Sequence, residues 1–119
     1  MKKTVVIGAS ENPERYSNKA TVALKKHHHE VIPIGIQDGE IDGIKIVKEK
    51  IKIEGVDTVT LYVGPKNQPS WFDYVISLRP KRVIFNPGTE NPEFEQMLQQ
   101  NNIEPVRACT LVLLSIGDY

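Results

Sequence analysis

A chain of 119 residues is long enough for one domain with a real core, read as residues 1–119, and leaves no room for a second catalytic domain. Charged residues make up 25% of it, with 15 basic and 15 acidic side chains, so the net charge is zero and nothing favours nucleic acid as a partner. The single cysteine, Cys109, excludes an internal disulfide and a CxxC metal site, and fits a reducing cytoplasm. No signal peptide or spanning segment is read, because the longest apolar run, Leu111 to Leu114, is far too short, and no membrane role is expected.

Val5, Val6 and Ile7 form a β-branched run that suits a central strand buried on both faces, and Gly8 ends it. Asn12-Pro13-Glu14 reads as N-cap, first-turn proline and first-turn acid of a helix. Its apolar stripe is Tyr16, Ala20, Ala23, Leu24 and His27, with Tyr16 packed under the loop. The helix closes at His27-His28-His29, where His28 stands at the position that favours glycine. Three consecutive histidines point about 100° apart and cannot converge on one ion, so this is read as a solvated helix end and no metal site is expected.

Val31 to Ile36 is the second strand, with Pro33 confining it to an edge, a strand end or a bulge. Gln37 to Gly43 carries two Asp-Gly turn signals, and Ile44 to Ile53 is read as a short extended piece plus a linker or single turn. Val56 to Val63 is the third strand and ends at Gly64-Pro65. A helix entered at Pro69 follows, closing before Pro80. Arg82 to Phe85 is strand four, Asn86 to Thr89 its turn, and Asn91-Pro92-Glu93 repeats the capping signature of the first loop. Phe94, Met97, Leu98 and Asn101 form a helical stripe, Ile103 to Val106 a fifth strand, and Ala108 to Tyr119 a closing strand or short helix.

Alternating strands and helices predict an α/β fold with an open parallel sheet of about five strands and helices on both faces. The expected order is 3-2-1-4-5. It places the loops Gly8 to Tyr16 and Asn86 to Asn91 across one crevice, with Val63-Gly64-Pro65 on its rim. The first βα junction, from Thr4 to Ser17, gathers backbone N–H groups and a positive helix end at one spot, which favours phosphate; a tight turn required by any such sheet reads the same way.

The segments VIGASENPERYSNKA, VIPIG, VTLYVGP, KRVIFNPGTENPE and ACTLVLLSIG, in this order, resemble the small stand-alone CoA-binding domain proteins, related to the CoA-binding domain of the succinyl-CoA synthetase α subunit. The resemblance covers nearly the whole chain and implies a Rossmann-like fold binding coenzyme A or an acyl-CoA. It implies phosphate contact at Gly8, Ala9 and Ser10, with Asn12 in the same loop and Arg15, Tyr16 and Ser17 directly after it. Arg15 reads equally as a phosphate partner and as a solvated first-turn arginine. Pro33, Gly35 and Ile36 stand beside the adenosine, but Gln37 occupies the place of the related synthetase's lysine, leaving Lys19 or Lys66 to reach the 3′-phosphate. Asn86, Pro87, Gly88 and Thr89 line the opposite wall.

Two other readings remain open. Asp38, after strand two, suits a ribose hydroxyl in an NAD(P)-dependent or other nucleotide-dependent enzyme, or is a turn residue of its Asp-Gly pair. Alternatively the scaffold is empty and binds a protein partner through Trp71, Phe72 and Tyr74. No catalytic residue is assigned, since no Ser-His-Asp order, carboxylate pair or metal spacing rises above chance. Cys109, beside an apolar run, reads as a packed side chain rather than a thiol partner for CoA.

Overall fold

The computed structural model describes residues 1–119. Strand β1 (Thr4–Ile7) leads into α1 (Tyr16–Lys26), β2 (Val31–Ile34), and a hairpin of β3 (Glu40–Ile41) and β4 (Ile44–Lys45). Then come β5 (Thr58–Leu61), α2 (Phe72–Ser77), β6 (Arg82–Phe85), α3 (Pro92–Gln100), β7 (Glu104–Arg107) and α4 (Thr110–Ser115). Two 3₁₀ turns, Pro65–Asn67 and Pro69–Trp71, replace the start of the helix expected at Pro69.

The five long strands are parallel, in the order β2-β1-β5-β6-β7. This corrects the expected order: counting only the strands of this sheet it is 2-1-3-4-5. The reason lies in the chain after β2. Val47 returns to bridge Ile34, donating its N–H to the Pro33 carbonyl at 2.9 Å and accepting from the Gly35 N–H at 3.0 Å. That return occupies the outer side of β2, so β5 enters on the free side of β1. Pro33 thus sits in the edge strand of the sheet, where a residue without an N–H is tolerated.

Alternation along the strands divides the core. Val5, Ile7, Val59, Leu61, Val83 and Phe85 share a cluster of fourteen buried residues with Phe72 and Val75 of α2 and Phe94 and Leu98 of α3. Val6 faces the other way, toward Leu24 of α1 and Leu114 of α4. Helices therefore cover both faces, and the α1/α4 side is smaller and carries buried hydroxyls, including the 2.8 Å pair of Thr60 and Thr110.

Local chemistry sets the boundaries. Asp42 and Gly43 both take positive φ, 49° and 82°, which closes the β3–β4 hairpin. His28 adopts φ 67° after α1, the left-handed conformation expected there. The buried stripe of α1 is Ser17, Ala20, Thr21 and Leu24, whereas Tyr16 is 67% exposed and does not pack under the loop. Nor does Asn12 cap the helix. Its side chain accepts from the Glu14 N–H at 2.9 Å, an Asx turn that ends before α1 begins, and the N-cap is Arg15 with no side-chain hydrogen bond.

Candidate functional site

At the carboxyl ends of β1 and β5 the connections leave the sheet in opposite directions, the switch point at which open α/β sheets form a crevice. A crevice of about 1450 Å³ lies there. The expected residues Gly8, Ala9, Ser10, Asn12, Arg15, Tyr16 and Ser17 line it from the β1 side, and Gly35 and Ile36 from the end of β2. Val63 and Gly64 line it from β5, and Pro87, Gly88 and Thr89 from β6. Because β5 stands between β1 and β6, the loop at Gly64 forms the middle of the crevice rather than its rim.

Three expected residues lie outside it. Pro33 is in the ladder of β2, and Pro65 is an exposed first residue of a 3₁₀ turn. Asn86 is 2% exposed and fully committed inside. Its Nδ2 donates to Thr60 Oγ1 at 2.6 Å and the Leu61 carbonyl at 2.8 Å, and its Oδ1 accepts from the Thr110 N–H at 2.9 Å. It fixes the start of α4 to the ends of β5 and β6.

Two glycines are required by close approach. A Cβ on Gly35 would stand 2.4 Å from the Ala9 carbonyl oxygen. Gly8 has φ +95° and a Cβ there would meet Tyr62 and Val63 at 3.1 Å. This packing consumes the first donors of the loop, since the N–H groups of both Gly8 and Ala9 donate to the Ile34 carbonyl, at 3.0 and 2.9 Å. They are not free for a diphosphate, which corrects the expectation for their amides. The donors without a partner are further along: the backbone N–H groups of Ser10, Glu11, Tyr16 and Ser17 make no hydrogen bond within the protein. Ser10 Oγ accepts from the Asn12 N–H at 3.1 Å, and Asn18 of α1 holds the Ser10 carbonyl at 2.9 Å.

The helix start adds to this. No acid lies in the first turn of α1 and no side chain caps it, so its positive end opens on the crevice beside Arg15. Ile36 is 86% exposed and faces the same space as Tyr16, a pair of apolar surfaces left uncovered by the protein. Lys66 lines the crevice from the β5 side, while Lys19 is absent from the lining and lies 5.3 Å from the Tyr16 ring centroid.

Glu11, Glu14, Ile46, Tyr62, Asn67, Pro69 and Ser70 also line the crevice without a site signal of their own in the sequence. Gln37, at the place of the related synthetase's lysine, and Asp38 and Trp71, for which the sequence suggests other roles, line it too. Most lie next to expected ones, and that adjacency was the available signal. Burial pushes the Tyr62 phenol up to about 12, opposed by the nearby Thr110 and Thr60 hydroxyls, and its own hydroxyl, shut from solvent, stands in no well-formed hydrogen bond. Gln68 is fully buried and ties the loop after β5 to the loop after β6: Nε2 donates to the carbonyls of Val63 (2.9 Å) and Thr89 (2.7 Å), and Oε1 accepts from Asn91 Nδ2 (2.9 Å).

The aromatics read as a partner surface are engaged internally. Phe72 stacks on Phe94 at 4.4 Å, Trp71 lies under the Lys50 ammonium at 4.7 Å, and Tyr74 donates to the Ile51 carbonyl at 2.6 Å. His27 and His28 are exposed, and His29 Nδ1 accepts from the Lys2 N–H at 2.9 Å. No group of three His, Cys, Asp or Glu side chains is placed to hold a metal ion, and no helix is long and apolar enough to cross a membrane. Cys109 is half-buried at the N-cap of α4.

Comparison with known proteins brings a function into view. A family model described as CoA binding domain matches residues 2–115. The uncharacterized protein YneT of Bacillus subtilis (strain 168) is 26% identical over 100 residues, covering 83% of this chain and 74% of that protein. Among solved structures, that of an uncharacterized protein is 55% identical with a TM-score of 0.98, over 100% of this chain and 98% of the other. A Thermus thermophilus protein is 25% identical with a TM-score of 0.86, over 99% and 91%. A hypothetical protein from Pyrococcus horikoshii OT3 is 27% identical with a TM-score of 0.85, over 93% and 80%.

Proposed function

The chain belongs to the CoA-binding domain family, and from that premise we propose that the crevice at the β1–β5 switch point holds coenzyme A or an acyl-CoA as a binding module. The observation that carries this reading is the set of unpaired amides at Ser10, Glu11, Tyr16 and Ser17 opening on one cavity beside Arg15. A diphosphate bridging the loop and the start of α1 satisfies these donors and meets the positive helix end. Arg15 adds a charge-assisted partner.

The exposed faces of Tyr16 and Ile36 suit the adenine ring, which removes apolar surface from water at both. The pantetheine arm then runs past Val63 and Gly64 toward Gly88 on the far wall of the crevice. A cytoplasmic setting goes with this reading, and the one thiol, Cys109, lies outside the crevice lining.

Thermal unfolding with CoA, acetyl-CoA, NAD and NADP tests it, because a ligand that binds only the folded form raises Tm. A concentration-dependent rise with CoA or acetyl-CoA is expected. A response to NAD with none to CoA contradicts the reading and favours a nucleotide-dependent enzyme, and no response to any of them leaves it without support.

A further inference from the structure

We infer that the adenosine end of the crevice selects a ribose with free hydroxyls over one that carries a 3′-phosphate, so that dephospho-CoA binds more tightly than CoA. This rests on the CoA-type reading of the site and concerns which form of that ligand the chain prefers.

In an open α/β sheet the loop after the strand beside β1 faces the ribose when the pyrophosphate sits at the first helix N-terminus. Here that loop runs from Gly35 to Asp38 along the crevice. The charges on this rim are acidic. Glu11 is held against it, accepting from the Glu40 N–H at 3.3 Å with its side chain packed on Gly39. Asp38 is exposed, and one of its oxygens lies 3.3 Å from Lys48 Nζ while the other has no partner. The ammonium of Lys48 is already engaged by Asp38.

A ribose hydroxyl donates to a carboxylate, so the free Asp38 oxygen rewards an unmodified ribose. A 3′-phosphate is a strong acceptor bearing up to two negative charges. Placed between Glu11 and Asp38 it offers no proton to either and meets repulsion from both. The other cations of this region belong to different elements: Arg15 stands at the α1 start, Lys19 lies over the Tyr16 ring outside the crevice lining, and Lys66 is on the β5 wall. The loop after β2 thus supplies acceptors where a hydroxyl needs them and carries no cation of its own for a phosphate.

Isothermal titration of the full chain with dephospho-CoA and with CoA at low ionic strength tests the inference. Dephospho-CoA is expected to bind tighter on the order of fivefold, an advantage that shrinks as salt screens the exposed carboxylates. Asp38→Asn removes one carboxylate and releases Lys48, so the ratio of the two affinities narrows or reverses; a merely structural role for Asp38 weakens both ligands alike and leaves the ratio unchanged. Equal or tighter binding of CoA by the wild-type chain overturns the inference while the CoA reading stands. Absence of binding by both compounds overturns the two together.

Discussion

The tripeptide Asn-Pro-Glu occurs twice, at residues 12–14 and 91–93, each time between a strand and a helix, and the two copies do different things. At α3 the Asn91 side chain accepts from the Phe94 N–H at 3.3 Å, its own N–H donates to Glu95 Oε2 at 3.0 Å, and Glu93 and Glu95 stand in the first turn. Arg107 of β7 then grips Glu95 through two nitrogens. That helix start is closed by the protein itself. At α1 the motif is spent on an Asx turn whose Asn12 lies three residues before the N-cap, and the helix opens without cap or acid. The positive end that α3 neutralises internally is left at α1 for something from outside. A capping signature therefore locates a helix start, while its offset from the helix decides whether that start is part of the frame or part of the site.

The largest expected effect comes from breaking the open end at its foundation. Gly35→Ala drives a methyl group into the Ala9 carbonyl oxygen, 2.4 Å away, and displaces the loop that carries the free amides. Chemical denaturation should register a loss of about 2 kcal/mol or more, and the CoA-induced rise in Tm should vanish with it. Next comes the closed end. Asn91→Ala removes the α3 cap and strips Gln68 Oε1 of its partner, so stability should fall by about 2 kcal/mol. The matching change Asn12→Ala, in an exposed turn, should stay within about 0.5 kcal/mol. Equal costs at the two asparagines would erase the distinction between the ends.

A smaller change sharpens the comparison by making α1 resemble α3. Tyr16→Glu places an acid at the first helical position of α1, where it complements the dipole and should hold or raise stability by up to about 1 kcal/mol. The same carboxylate occupies the anion site and removes an apolar face, so CoA affinity should fall in titration calorimetry. Opposite signs for folding and binding are the outcome to look for. The smallest effect belongs to Tyr62. Its folded-state phenol ionises at about 12, above the ordinary value near 10. Between those values the unfolded chain has already released its proton, so stability declines as pH rises through this window. Tyr62→Phe should remove that share of the alkaline decline. Near pH 7 it should change stability by no more than about 1 kcal/mol, because the hydroxyl has no well-formed hydrogen bond to lose.

Much of this arrangement is legible in the residues. The β-branched run at Val5–Ile7, the boundaries of Arg82–Phe85 and the Asn91 cap follow from local chemistry that the structure keeps. The strand order does not, because a hydrophobic pattern says which residues are buried and nothing about which strand lies beside which; here the return of Val47 to the edge of β2 decides it. The same limit applies within the site. Gly8 and Ala9 sit where a phosphate loop is expected, yet their amides are taken by the carbonyl of Ile34, some 26 residues away in sequence and contributed by a neighbouring strand. Asn86 and Gln68 show the converse. Asn86 stands in a loop expected to line the crevice and Gln68 within an unremarkable polar run, yet both are buried braces whose partners come from elements distant in sequence.

The central claim is that the open start of α1, and not the Gly8 turn, receives the ligand's diphosphate. Amide chemical shifts of the ¹⁵N-labelled protein, followed during titration with CoA, test it residue by residue. The account predicts that the signals of Ser10, Glu11, Tyr16 and Ser17 move most, while those of Gly8 and Ala9, already bonded to Ile34, move little. Saturable shifts centred away from this corner, with these four amides unmoved, would contradict it.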